Sequence, residues 1–202
     1  IQRNPEKLLL PVGFSLSGNI LLKYLGEGRP IPDKVVGALA VNPPIDLRTS
    51  SAIISKKWNC ALFNRYYMKL IRTQALAIAK QFPDALSPLK NLKTIWDFDV
   101  SYTAPSGGFK DVDAYYDRCS ALHYLKEIGV RTSILCAQDD PFIPSRLFDR
   151  VEMSEWVTLY NPEKGGHMGY IANCVTPHGD RRWMDYAVLE WIGKLENVRA
   201  SS

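Results

Sequence analysis

No stretch of this 202-residue chain stays apolar long enough to span a bilayer. That excludes a helical membrane span in what is visible and leaves a soluble segment as the expectation. The four cysteines, Cys60, Cys119, Cys136 and Cys174, are far apart and none belongs to a C-x-x-C pair. Neither a zinc knuckle nor a dithiol redox centre is therefore available, and no metal is expected. Cys136 lies inside an apolar run and reads as core, and the usage favours a reducing, cytoplasmic compartment. The glycine-rich turn near the start contains no G-x-G-x-x-G, which argues against a dinucleotide-binding domain. The net charge of +4 comes from scattered Lys and Arg, without a sustained basic run or an interleaved aromatic platform. Nucleic acid is not an expected partner, whereas weak attraction to an anionic membrane surface is compatible with the charge. The chain opens Ile1-Gln2-Arg3, with neither an initiator methionine nor an apolar leader, so it is expected to be a piece of a longer protein.

What is present near the start is a distinctive turn. Leu8-Leu9-Leu10-Pro11-Val12 reads as a buried strand, Gly13-Phe14-Ser15-Leu16-Ser17-Gly18 as a tight turn, and Asn19-Ile20-Leu21-Leu22 as the start of a helix. This is the sequence of a nucleophile elbow. Gly13 permits close backbone approach before the serine, the turn holds the Ser15 hydroxyl above the sheet, and the Leu16 N–H points where an oxyanion would form. The second glycine of G-x-S-x-G is replaced by Ser17, whose Cβ is expected to crowd the strand, although Gly18 follows at once. Bare matches to this pattern are common, and the alternative is an ordinary strand-to-helix turn. The second oxyanion donor is expected upstream.

With 46% apolar residues the chain can bury a core, and one domain with an inserted subdomain is the expectation. Helix over residues 19–25 gives way to a loop at Pro30 and Pro32, and residues 35–41 form an apolar run of strand length closed by Asn42-Pro43-Pro44. Strand, helix and strand make a βαβ unit, hence a mostly parallel sheet in an α/β fold. Trp58, Leu62, Phe63, Tyr66, Tyr67, Leu70 and Ile71 then recur at helical spacing, so residues 46–110 read as a helical lid insertion between core segments 1–45 and 111–202. Such an aromatic stripe is more often plain core than a substrate groove. Residues 103–109 read as a loop, 115–128 as a helix, 131–137 and 157–160 as strands, and 183–195 as a closing amphipathic helix.

A catalytic serine needs a base, and there are three histidines. His123 lies in a helical run and His178 among turn residues, whereas His167 sits in Gly165-Gly166-His167-Met168-Gly169, a flexible loop directly after a strand. The base needs an acid to orient it. Asp139 and Asp140 both follow the strand at 131–137, at a carboxyl end where α/β sheets collect functional groups. Asp140 is favoured because Pro141 biases it toward extended geometry, which leaves Asp139 to cap or orient the loop. Asp-Asp-Pro is also an ordinary turn. The order Ser15, Asp140, His167 is that of α/β-hydrolases and differs from the chymotrypsin and subtilisin orders.

The chain resembles the carboxyl-terminal two-thirds of an α/β-hydrolase of the YheT and ABHD1/ABHD3 group, which includes the plant EMB8-like proteins. The resemblance runs through Gly13-Phe14-Ser15-Leu16-Ser17-Gly18-Asn19, Phe98-Asp99, Thr103-Ala104-Pro105, Gly108-Phe109, Asp113-Ala114-Tyr115-Tyr116, Ala137-Gln138-Asp139-Asp140-Pro141-Phe142 and Gly165-Gly166-His167. It implies a serine hydrolase of carboxylic esters, with acyl lipids as substrates in some members, Ser15, Asp140 and His167 as triad, and no cofactor. Two other classes stay open: an acyltransferase using the same triad, and a non-catalytic binding protein on the same scaffold.

Overall fold

The computed structural model describes residues 7–55, 60–82 and 92–200; Trp58 of the aromatic stripe lies outside them. In chain order the principal elements are β1 (Val12–Phe14), α1 (Leu16–Gly26), β2 (Ala38–Val41), α2 (Leu47–Ile54), α3 (Arg65–Gln81), α4 (Ile95–Phe98), α5 (Val112–Cys119), β3 (Thr132–Leu135), β4 (Val157–Tyr160) and α6 (Trp183–Ala200). They form two compact units, Ile1–Ile45 with Ser120–Ser202, and Asp46–Cys119.

In the first unit four strands make one parallel sheet in the order β1-β2-β3-β4. Every residue of β2 and β3 is buried, as expected of strands covered on both faces. Thr158 and Tyr160 of β4 are exposed, the alternation of a strand at the edge of the described sheet. Residues 8–10 are not the buried strand that their composition suggests. Leu8 is 48% exposed, and Leu9 makes only an isolated bridge to Val35. Pro11 offers no N–H, so the ladder starts at Val12.

The two faces of the sheet differ in side-chain size. Leu39, Val41 and Leu135 pack with Ala137 and Tyr170, and Val12, Met184, Val188 and Trp191 close over them. Met184, Val188 and Trp191 follow one another at i, i+4 and i+7 along α6, one face of that helix. Trp191 anchors it by donating from Nε1 to Ser133 Oγ at 2.6 Å. The opposite face is built for close approach by α1. A Cβ on Gly18 would stand 3.5 Å from Ala40 Cβ, and at the far end of α1 one on Gly26 would stand 2.2 Å from the carbonyl of Tyr124, which lies outside the sheet.

The helix expected over 115–128 breaks at Ser120, whose backbone is extended (φ −73°, ψ 125°). Asn19, on α1, accepts the Ala121 N–H at 2.8 Å, and the Ile45 carbonyl accepts that of Leu122 at 3.0 Å. With both donors committed elsewhere the chain continues as two short 3₁₀ turns, Ala121–His123 and Leu125–Glu127.

In the second unit Asp46 caps α2, accepting from Thr49 N–H at 3.0 Å and Thr49 Oγ at 2.6 Å. Thr94 and Asp97 form a capping box at the start of α4. The helical path continues through Asp99–Thr103 and Ala104–Ser106, so the first part of the 103–109 segment is helical rather than a loop. The reason is packing: Ala104 is fully buried against Leu47, Val112 and Tyr116. Asp99 is buried too, with the Tyr116 hydroxyl 2.8 Å from its Oδ2 and Ser51 Oγ 2.9 Å from that same hydroxyl. Burial raises the Asp99 carboxyl above the usual carboxylate range, against the opposing hydrogen bonds of Thr103 and Tyr116.

Candidate active site

Ser15 occupies the junction between β1 and α1 at φ 49° and ψ −123°, a strained backbone for a residue other than glycine. Its N–H donates to the Val41 carbonyl at 2.8 Å, which ties the turn to the carboxyl end of β2. Gly13 has no room for a Cβ: the Ser17 carbonyl would stand 2.6 Å away and Gly18 Cα 2.7 Å away. The second close-packed position is Gly18, whose Cβ would meet the Gly13 carbonyl and Pro43 Cβ at 3.1 Å. Ser17 is exposed and does not crowd the strand. The replacement noted in the motif therefore falls on a residue that faces solvent.

Ser15 caps α1 without using its side chain, so its hydroxyl is available. Ser15 Oγ lies 3.0 Å from His167 Nε2, and His167 Nδ1 lies 2.8 Å from Asp140 Oδ2. A carboxylate can only accept, so Nδ1 carries the ring proton, and Nε2 is left as acceptor for the serine O–H. The His167 side chain is 10% exposed and the Asp140 side chain fully buried. Asp140 Oδ1 accepts from the N–H groups of Phe142 and Ile143 at 2.8 and 3.1 Å, and the Phe142 ring meets the imidazole edge-on. Asp139 turns the other way and accepts the Gly166 N–H at 2.7 Å. Leu16 is the first residue of α1, where backbone N–H groups lack intrahelical partners. Phe14, Leu16 and Ile20, close to the serine along the chain, are 42%, 49% and 59% exposed. His123 and His178 are both exposed, the first beside Tyr124 and the second against the Tyr186 ring.

The loop that carries His167 is held by its own backbone: the Gly165 carbonyl accepts from Gly169 and Tyr170 at 3.0 and 2.8 Å. A Cβ on Gly165 would stand 2.4 Å from the Tyr170 ring and 2.7 Å from Ala137 Cβ, so only glycine lets the loop leave the sheet here.

Two residues of this network were not among the sequence candidates. Asn42 is fully buried at φ 45° and donates from Nδ2 to Asp140 Oδ2 and, at 2.9 Å, to the Gly166 carbonyl. The buried Tyr170 hydroxyl donates to Asn42 Oδ1. A weak signal existed, since Asn42 is the polar residue that ends an apolar strand and Tyr170 follows His167 by three positions. Cys136 is buried and its thiol is pushed up to about 12, chiefly by desolvation. Among the described residues no group of three or more His, Cys, Asp or Glu could hold a metal ion.

No protein-family model matches the chain. YheT of Escherichia coli, an esterase by name, is 30% identical over 187 residues, covering 90% of this chain and 54% of that protein. The mouse monoacylglycerol lipase ABHD2 is 29% identical over 211 residues, 95% of this chain and 49% of its own length. The medium-chain fatty acid ethyl ester synthase/esterase 2 of Saccharomyces cerevisiae is 26% identical over 222 residues, 98% of this chain and 48% of its own. The chain thus spans about half the length of the curated relatives it matches.

Proposed function

We propose, from its similarity to YheT and ABHD2, that the chain is an α/β-hydrolase of that group and that it carries the catalytic triad of a serine hydrolase of carboxylic esters. The observation that supports this is the unbroken chain of hydrogen bonds from Ser15 through His167 to Asp140. In the reaction Ser15 Oγ attacks the ester carbonyl while its proton passes to His167 Nε2. Asp140 stabilises the imidazolium, and the Leu16 N–H holds the oxyanion. Collapse of the tetrahedral intermediate breaks the ester C–O bond, and His167 returns its proton to the departing alkoxide. Water, deprotonated by His167, then hydrolyses the acyl-enzyme. Fluorophosphonate labelling of the full-length protein tests the reading: covalent labelling is expected, and Ser15→Ala should abolish it.

The exposed apolar side chains of Phe14, Leu16 and Ile20, close to the nucleophile along the chain, and the monoacylglycerol lipase among the relatives favour acyl lipids as substrates. The helical unit Asp46–Cys119 is proposed to supply preference for the acyl chain, which rates on short and long acyl esters would test. One relative named a synthase as well as an esterase favours a second reading, transfer of the acyl group to an alcohol other than water. Product partition between acid and new ester, with ethanol or glycerol offered as acceptor, separates the two.

No described helix is long and apolar enough to cross a membrane. Weak attachment to a membrane surface is proposed through α3, which contains Arg65, Lys69, Arg72 and Lys80 and no acidic residue. Tyr66, Leu70 and Leu76 on that helix are 58%, 45% and 64% exposed, a combination suited to an anionic lipid interface. Cosedimentation with anionic vesicles, lost on Tyr66→Ser with Leu70→Ser, is the expected result. The thiols of Cys136 and Cys174, neither in a disulfide, favour a reducing, cytoplasmic setting.

A further inference from the structure

We propose that Asn42 is a positioning residue whose side-chain amide locks the acid and the histidine loop into one arrangement, and that the Tyr170 hydroxyl fixes which way the amide faces. The inference rests on the reading of Ser15, His167 and Asp140 as the triad, and deepens it.

One amide reaches three separate parts of the site. Asn42 Nδ2 donates to Asp140 Oδ2, the same oxygen that accepts from His167 Nδ1, and also to the Gly166 carbonyl immediately before the histidine. Its Oδ1 accepts from Tyr170, three residues after the histidine. The loop is thus pinned on both sides of His167 by a side chain from the end of another strand. Asn42 is itself held: its N–H donates to the Leu135 carbonyl at 2.6 Å, and its positive φ is one that asparagine tolerates better than most residues.

The chemistry allows only one orientation of the amide. Turned over, Oδ1 would face two acceptors, a carboxylate and a carbonyl, and both would lose the amide's donors in a buried site. Tyr170 selects the correct face because a phenol that keeps its proton donates to Oδ1. Burial, with Cys136 and Asp140 nearby, raises its ionisation well above the ordinary tyrosine range, so the proton stays. The Tyr170 ring is only 3% exposed, packs in the Leu39 and Val41 core and lies 5.8 Å from the Trp183 ring, so the hydroxyl has a fixed origin.

The test is steady-state hydrolysis of a water-soluble short-chain ester by the full-length protein, with melting temperature recorded for each variant. Asn42→Leu keeps the approximate volume and removes both donors; kcat is expected to fall about 10- to 100-fold with KM within about twofold, the range seen when a hydrogen bond to a charged group is lost. Tyr170→Phe keeps the ring and removes the orientation lock, and should lower kcat about 3- to 10-fold while the protein still folds with a cooperative, modestly lowered melting transition. The double variant should be no slower than Asn42→Leu alone, because Tyr170 acts through Asn42; a purely structural pair would give multiplying losses. Wild-type kcat in Asn42→Leu, a rise in KM that accounts for its whole loss, or multiplying losses in the double variant would overturn the proposal. Should Asn42→Leu not fold, Tyr170→Phe decides alone, and an unchanged kcat there overturns it. If the unsubstituted protein neither turns over ester nor takes up fluorophosphonate, the triad reading fails and the positioning role falls with it. Labelling that survives while Asn42→Leu is silent overturns only the positioning role.

Discussion

Asp140 and Asp99 are both buried aspartates, 8% and 9% exposed, one in each compact unit, and they are served by different donors. Asp140 receives four N–H donors, from His167, Asn42, Phe142 and Ile143, which fills the accepting capacity of an ionised carboxylate. Among the described residues Asp99 receives hydroxyl donors, from Tyr116 and Thr103, and burial wins over them to raise its carboxyl. Equal burial therefore says little about chemistry. What separates a carboxylate able to orient a base from one that staples helices together is the number and kind of donors aimed at it. Asp99, with Tyr116 and Ser51, joins α5, α2 and the segment after α4 within the helical unit.

The largest effect should come from the groups that Asp140 serves. His167→Ala and Ser15→Ala are each expected to abolish ester hydrolysis by the full-length protein, while His123→Ala and His178→Ala retain most of it, measured as initial rates on one soluble ester. Retained turnover in His167→Ala would remove Asp140 from any catalytic role and collapse the contrast. Next, the three aspartates should rank. Asp140→Asn is expected to lower kcat by several orders of magnitude, since the corresponding change in a serine protease costs about 10⁴-fold. Asp139→Asn, which still presents an acceptor to Gly166, should cost far less, and Asp99→Asn should leave kcat within about twofold. Equal losses at positions 139 and 140 would undo the assignment of the acid.

A smaller effect is the pH dependence that Asp99 confers on stability. Because the folded-state pKa of Asp99 is raised, the native protein holds a proton that the unfolded chain has lost. Its contribution to stability is complete below about pH 4, near the unfolded aspartate value, and declines as pH rises toward the elevated folded value. Asp99→Asn should flatten that decline in denaturant titrations across the window; an unchanged slope would place the stability burden elsewhere. Within the elbow Ser17 should show the smallest effect of all, and Gly13 a larger one. Ser17→Gly, at an exposed position, should leave kcat near the original and change stability by about 0.5 kcal/mol. Gly13→Ala should impair activity clearly, because its Cβ would meet backbone atoms at 2.6 and 2.7 Å.

Local composition determined much of this protein. Gly13, Ser15 and Gly18 announce a tight strand-to-helix turn because only small residues permit its backbone contacts, and continuous apolar runs announce strands buried on both faces. A glycine-flanked His167 and an acidic pair after a strand were legible for the same reason: each is a property of a few consecutive residues. Tertiary structure alone decided the rest. Whether a run of apolar residues is paired depends on a neighbour's free N–H groups, which is how Pro11 ended the reading of residues 8–10 as strand. The break at Ser120 depends on Asn19 and Ile45, distant in the chain, capturing the N–H groups that a longer helix would have used. The roles of Asn42 and Tyr170 depend on hydrogen bonds across 98 and 128 residues of chain. Pattern along a sequence records periodicity and steric tolerance, whereas the partner of a buried polar group is set by which distant segment the fold brings within about 3 Å of it.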